Sequence, residues 1–212
     1  MTQPLLSILI PTVVGREEQL YLLTDKIHKL IDKKCLLQLG VFAGELVASY
    51  DDIEIRVLKD NKEITIGEKR ELLYNHAKGL YSWQIDDDDS IADNAIELIL
   101  KAIKSNPEVD CITFQEKCLM NGEYKRSNHS LRYSQWMDNS DGYDYCRSPF
   151  YKDVIRTDIA KSVPFPRIRY NEDEQWSMAL YPHLSTETHI DEELYIYIYE
   201  PKDSHETRYG IK

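Results

Sequence analysis

Four consecutive aspartates, Asp86 to Asp89, close a short apolar-aromatic segment, Tyr81-Ser82-Trp83-Gln84-Ile85. Adjacent carboxylates repel one another and each raises its neighbours' pKa, so a cluster this dense calls for a cation. The segment before it reads as a strand, so the acids belong at that strand's carboxyl end. Magnesium-type ions are held there by one or two carboxylates together with substrate phosphates. In an extended chain Asp86 and Asp88 lie on one face, which suggests Mn2+ or Mg2+ carrying a phosphate-bearing substrate. A solvated turn whose last acid, Asp89, caps the following helix explains one carboxylate and leaves the others as uncompensated repulsion.

Strands and helices alternate on both sides of this run. Residues 5 to 10 are almost continuously apolar and stop at Pro11-Thr12, which suits a central strand buried on both faces. A helix follows Arg16-Glu17-Glu18, with Leu20, Leu23, Ile27, Leu30 and Ile31 at helical spacing and acids in its first turn. Ile53, Ile55 and Val57 alternate with Glu54 and Arg56 in a second strand that ends near Asp60. Gly67-Glu68-Lys69-Arg70 opens a second helix, which Lys78-Gly79 stops. Arg70 falls on the apolar face of that helix. Either its stem packs while its head reaches water, or Lys69 and Arg70 meet a negative diphosphate. After the acidic run, Ser90 to Asp93 leads into a helix with Ile96, Ile99, Leu100 and Ile103 inward. The order argues for an α/β fold of three layers, α/β/α, with a Rossmann-like half and a mostly parallel sheet carrying a short antiparallel addition. Such sheets bind ligands at the carboxyl ends of their strands, where Thr12, Asp60 and the acidic run all fall.

The second half is less periodic. Cys111-Ile112-Thr113-Phe114 is a strand, and Asn121-Gly122 marks a tight hairpin. Residues 125 to 150 read as a loop-rich aromatic insertion suited to acceptor specificity. Pro164-Phe165-Pro166 precedes a short helix that starts at Asn171-Glu172-Asp173. Acids favour a helix N-terminus for its dipole alone; the functional reading makes one of them a general base, with Glu172 and Glu174 pointing elsewhere. Leu194 to Tyr199 alternates as a strand and delivers His205, which either completes a metal shell or is plain surface.

One sizeable domain accounts for 212 residues at 42% hydrophobic and 30% charged. Residues 1–110 carry the alternating strands and helices, and residues 111–212 make up the less periodic half. A formal charge of −11 argues against broad binding to nucleic acid or anionic membrane. The cysteines Cys35, Cys111, Cys118 and Cys146 have neither zinc-site nor disulfide-scaffold spacing and read as reduced thiols. With no signal peptide and no spanning run, the expected location is the cytoplasm, where the Asn128-His129-Ser130 sequon carries no meaning.

In this order and spacing, Ser7-Ile8-Leu9-Ile10-Pro11-Thr12, the strand ending at Asp60, Gly67 to Tyr81, Ile85 to Asp89 and Asn171-Glu172-Asp173 resemble the inverting family 2 glycosyltransferases of GT-A fold. The resemblance spans residues 5 to about 180. It implies transfer of a sugar from a nucleoside-diphosphate-sugar, with a UDP-sugar foremost, to a glycan, lipid-linked or other hydroxyl acceptor. It also implies a nucleotide-sugar-binding half in residues 1–110 and an acceptor half in residues 111–212, nucleotide contacts at Pro11, Thr12, Arg16, Asp60, Lys69, Arg70, Asp86 and Asp87, a metal at Asp88, and Asp173 as the base; His205 stays open as a further metal ligand. Val13-Val14-Gly15 stands where the family carries Tyr-Asn, and the DxD register is open between Asp86/Asp88 and Asp87/Asp89. Two rivals share the strand-end acids. A nucleotidyltransferase usually shows a Gly-rich loop after the first strand, where only Gly15 is found. A non-catalytic nucleotide-sugar-binding module would bind without turnover.

Overall fold

The apolar run at the start of the chain is a strand buried on both faces, flanked by parallel neighbours. The structure, a computed structural model, describes residues 3–31, 40–42 and 45–199. In chain order its elements are β1 (Leu6–Val13), α1 (Glu17–Leu30), β2 (Gly40–Phe42), β3 (Glu45–Ser49), β4 (Ile53–Asp60), α2 (Ile66–His76), β5 (Tyr81–Gln84), β6 (Ser90–Ile91) and α3 (Ala95–Ser105). The second half adds β7 (Cys111–Met120), β8 (Glu123–His129), β9 (Met137–Ser140), β10 (Tyr143–Arg147), β11 (Val154–Arg156), α4 (Thr157–Ser162), α5 (Glu172–Leu180) and β12 (Glu187–Tyr199). All strands join one sheet. Its main path runs β2-β3-β4-β1-β5-β11-β7-β8-β10-β9, with β12 alongside β7 and β6. The centre, β4-β1-β5, is parallel; β3 and β11 continue it antiparallel on either side, and β12 runs parallel to β7.

Helices cover both faces. On one, Leu23 and Ile27 of α1 and Ile96, Ile99 and Ile103 of α3 pack with Leu6, Ile8 and Ile10. On the other, Leu73 and Tyr74 of α2, Ala160 of α4 and Trp176 and Leu180 of α5 pack with Leu9 and Ile155. Each fully buried large apolar side chain contributes about 1.5–3 kcal/mol, so opposite sides of β1 anchor both layers. Helix α2 starts in a capping box, in which the Thr65 hydroxyl accepts from the Glu68 N–H and the Glu68 carboxylate from the Thr65 N–H. At Gly67 in its first turn, a Cβ would collide with the Pro166 carbonyl. Only glycine lets the 164–171 segment lie this close to α2. No helix among the described residues is long and apolar enough to cross a membrane.

Several local expectations change. Residues 125 to 150 are not mostly loop: β8 pairs with β7 across the expected hairpin, where Asn121 and Gly122 have φ of 53° and 82°, and β9 and β10 extend the sheet. Alternating polar and aromatic residues hid these strands. In β4, Glu54 and Arg56 are buried as well as the aliphatics, because β1 and β3 flank the strand; Glu54 accepts from the Ser7 hydroxyl at 2.6 Å. Asp89 does not cap the next helix. The short strand β6 intervenes, α3 begins after Asn94, and Asp89 is buried against β12. Cys111, Cys118 and Cys146 are buried free thiols, whereas Cys35 and His205 lie outside the described residues.

Behind the acidic strand end lies a buried charge cluster. Lys152 donates to Glu116 at 2.6 Å, and His129 lies 3.3 Å from Glu116 and 3.1 Å from Asp153. Burial alone would lower the His129 pKa, yet Asp153 and Glu116 hold it up at about 9, against an ordinary 6.5. Burial alone would raise Glu116, yet Lys152 and His129 bring it down from 4.5 to about 2. The stability supplied by His129 is therefore full below pH 6.5 and lost as pH rises through 9. That supplied by Glu116 is full above pH 4.5 and lost as pH falls through 2. Urea unfolding of His129→Gln should show a loss of about 3 kcal/mol at pH 6, and its stability should decline less than the wild type's between pH 6.5 and pH 9.

Candidate active site

The parallel strands β1, β4 and β5 bring Thr12, Asp60 and the acidic run to one edge of the sheet. The Thr12 hydroxyl donates to Asp87 at 2.6 Å. Arg16, at the start of α1, bridges Asp87 at 2.5 Å and Asp88 at 3.0 Å. Lys69, buried in the first turn of α2, donates to the Thr12 carbonyl at 2.6 Å and to Asp60, whose other oxygen accepts from the Ile64 N–H at 3.2 Å. Burial raises the Asp87 carboxyl to about 6 despite Arg16 and Thr12, with Asp88 and Asp86 adding to the rise. For Asp60, burial is outweighed by Lys69 and the carboxyl sits below its ordinary value.

Arg70 does not snorkel. It is buried and bonds Asp86 through both terminal nitrogens, at 2.9 and 3.2 Å, and Glu172 through Nε at 3.3 Å. Its guanidinium lies 3.5 Å from the centroid of the Tyr151 ring, and the Tyr151 hydroxyl donates to Asp86 at 2.9 Å. The last acid, Asp89, accepts from the Tyr195 hydroxyl at 2.8 Å and the Ile198 N–H at 3.0 Å. Its burial pushes its pKa well up, against the pull of Lys152.

Two open clefts meet over this network. The first, about 600 Å³ counting space open to solvent, is lined by Pro11, Thr12, Arg16, Lys69 and Asp86 to Asp88, with the Lys62–Ile66 loop opposite. The second is walled by Trp136, Tyr170, Tyr197, Glu172 and Asp173. Arg70, Asp86 and Arg169 line both. Asp60 stands behind the wall of the first cleft and reaches it through Lys69. Asp86, Asp88 and Asp89 place one carboxylate oxygen each within 4.8 Å of one another, a donor set that fits a hard divalent cation. A turn at Asp86–Asp89 sends Asp87 towards Thr12 and Arg16, so it is Asp86 and Asp88 that converge.

Glu172, expected to point away, faces the second cleft together with Asp173, because the first turn of α5 presents both. Glu172 is ion-paired to Arg70 while burial raises its pKa; Asp173 makes no ion pair among the described residues and accepts only from the Glu174 N–H. In the sequence Tyr151, Tyr195 and Arg169 are passed over and Glu172 is turned away from the substrate. Tyr151 and Tyr195 stand in aromatic stretches that mark packing and ligation alike. A buried arginine demands a carboxylate partner, and that demand was the one signal for Glu172.

No family model matches the sequence, and no curated protein matches it. Among solved structures the chain is similar to S. aureus TarS. It matches residues 1–349 in complex with UDP-GlcNAc at a TM-score of 0.63 and 15% identity, over 95% of this chain and 60% of that one. With the UDP complex the TM-score is 0.60 at 15% identity, over 95% and 62% of the two chains. With a longer TarS structure it is 0.60 at 16%, over 95% and 38%. The chain thus spans about two fifths to three fifths of these structures. At this identity the likeness establishes the fold, which is of the GT-A type.

Replacing Arg70 by methionine leaves Asp86 and Glu172 without their buried cation. Urea unfolding should show a loss of about 3–5 kcal/mol, and a smaller loss for Arg70→Lys, which keeps the charge without the planar fork.

Proposed function

We propose that the protein is an inverting, metal-dependent glycosyltransferase that moves a sugar from a nucleoside-diphosphate-sugar, UDP-linked foremost, to an acceptor hydroxyl. The observation that carries this reading is the pair of clefts meeting at Asp86 and Arg70, because sugar transfer needs two substrates to face each other across one reacting carbon. The TarS structures contain UDP and UDP-GlcNAc, which supports a nucleotide-sugar donor. On this reading the chain is a single domain, whose residues 1–110 supply most of the donor cleft and residues 111–212 most of the acceptor cleft.

In the donor cleft the base lies between Pro11 and the Lys62–Ile66 loop, and Asp60 serves it from behind the wall by holding Lys69 and the Ile64 N–H in place. Asp86 and Asp88 take the ribose and the metal-bound diphosphate. Asp86 and Asp88 would hold Mn2+ or Mg2+, which when bound would supply Lewis-acid neutralisation of the charge on the departing diphosphate. Asp89 lines neither cleft and positions the acidic turn, held by the Tyr195 hydroxyl and the Ile198 N–H. Asp173 takes the acceptor's proton: of the two carboxylates that α5 turns into the second cleft, Glu172 is already committed to Arg70. The acceptor lies along Trp136 and Tyr197, and a glycan or lipid-linked hydroxyl fits this open, aromatic wall. One base and one displacement invert the anomeric centre.

The test is a panel of nucleotide-sugars with Mn2+ or Mg2+, followed by release of the nucleoside diphosphate. At least one donor should turn over, and Asp88→Asn or excess chelator should abolish turnover. Asp173→Asn should lower turnover by about 10²-fold or more with donor affinity near wild type. Binding without turnover across the panel would instead identify a non-catalytic module, and a loss confined to Glu172→Gln would move the base to that residue.

A further inference from the structure

The cations around the two clefts are nearly all answered by carboxylates. Arg16 serves Asp87 and Asp88, Lys69 serves Asp60, Arg70 serves Asp86 and Glu172, and Lys152 serves Glu116. Arg169 differs. It is half-buried, lines both clefts, and makes no hydrogen bond or ion pair among the described residues, Glu68 being a carboxylate that feels its charge without bonding it. Lys62 also lines the donor cleft without an ion pair of its own, but it is exposed and touches that cleft alone.

The backbone that carries Arg169 is held in place. The Ile168 N–H donates to the Pro166 carbonyl at 2.8 Å, and Gly67 admits that carbonyl against the first turn of α2. On the other side the chain turns through Asn171 at φ 59° into α5, whose first turn is tied to Arg70 through Glu172. A guanidinium carried by this backbone to the seam of two clefts, with no hydrogen bond or ion pair among the described residues, is set for an anion that arrives with a substrate.

We infer that Arg169 binds the diphosphate of the donor from the acceptor side and holds it as it leaves. This rests on the glycosyl-transfer reading and adds a residue to it. The diphosphate is the anion that must lie beside Asp86 and Asp88, and Arg169 shares Asp86's place on both clefts. The nearer cations are drawn to carboxylates, so an unspent guanidinium supplies charge that they divide with the protein.

Calorimetric titration in Mn2+ tests it, using whichever of UDP, GDP, dTDP, CDP and ADP binds the wild type most tightly, then the matching nucleoside, then inorganic phosphate. Arg169→Gln should weaken the nucleoside diphosphate about tenfold and leave the nucleoside unchanged, with Arg169→Lys in between. The charge control is Arg167→Gln, because Arg167 is exposed, pairs with Glu71 at 3.6 Å and lines neither cleft; it should bind like the wild type. Unaltered diphosphate affinity in an Arg169→Gln protein with a near-normal melting temperature would overturn the inference alone. So would a loss shared equally by Arg167→Gln, or one confined to inorganic phosphate, which would assign Arg169 to an acceptor anion. A wild type that binds none of the diphosphates would overturn this inference and the donor reading together.

Discussion

A buried guanidinium facing a carboxylate, Arg70 against Asp86, is the interaction on which the site depends. Taking either ion out of water costs several kcal/mol, and the protein offsets that cost from four directions. Asp86 meets the guanidinium through two hydrogen bonds, Tyr151 lies under its face, Glu172 takes Nε, and Gln84 accepts at 3.2 Å. These groups come from α2, the end of β5, the segment before β11 and the first turn of α5. One side chain therefore fixes the acidic turn relative to the helix that carries Asp173. The clefts meet there because the elements that wall them are joined there.

The same accounting changes the meaning of the four aspartates. Read as a sequence, they are a repulsion that needs an external cation. In the structure each has its own answer: Arg70 and Tyr151 for Asp86, Thr12 and Arg16 for Asp87, Arg16 for Asp88, Tyr195 and the Ile198 N–H for Asp89. Charge balance alone no longer demands a metal. The case for one rests on the convergence of Asp86, Asp88 and Asp89 beside a cleft, and on the chemistry of a departing diphosphate. It also gives Arg16 two tasks, steadying the turn and guarding Asp88.

What the sequence reveals here follows the range of the forces. The layered α/β order and the strand-end position of Thr12, Asp60 and Asp86 come from local patterns, a continuous apolar run, helical spacing and a polar stop, and the structure keeps them. Beyond the Asn121-Gly122 hairpin, the extent of β8 and the strands β9 and β10 escape notice because Glu123-Tyr124-Lys125-Arg126 and Met137-Asp138-Asn139-Ser140 have too few apolar residues to signal burial. Only their pairing in the sheet, β8 on β7 and β10 on both β8 and β9, reveals them. Glu172 and Arg169 escape for a related reason. In the sequence Glu172 is one of several acids at a helix start and Arg169 one of several surface-like cations, and only the tertiary fold shows that the first is spent on Arg70 and that the second makes no hydrogen bond or ion pair among the described residues.

The most direct test of this account is a crystal structure of the protein with Mn2+ and a nucleoside diphosphate. The account predicts the base between Pro11 and the Lys62–Ile66 loop, the metal on Asp86 and Asp88, the diphosphate at the seam of the two clefts, and Arg70 still locked on Asp86. A nucleotide seated along Trp136 and Tyr197, or a metal and diphosphate bound away from Asp86 and Asp88, would contradict it.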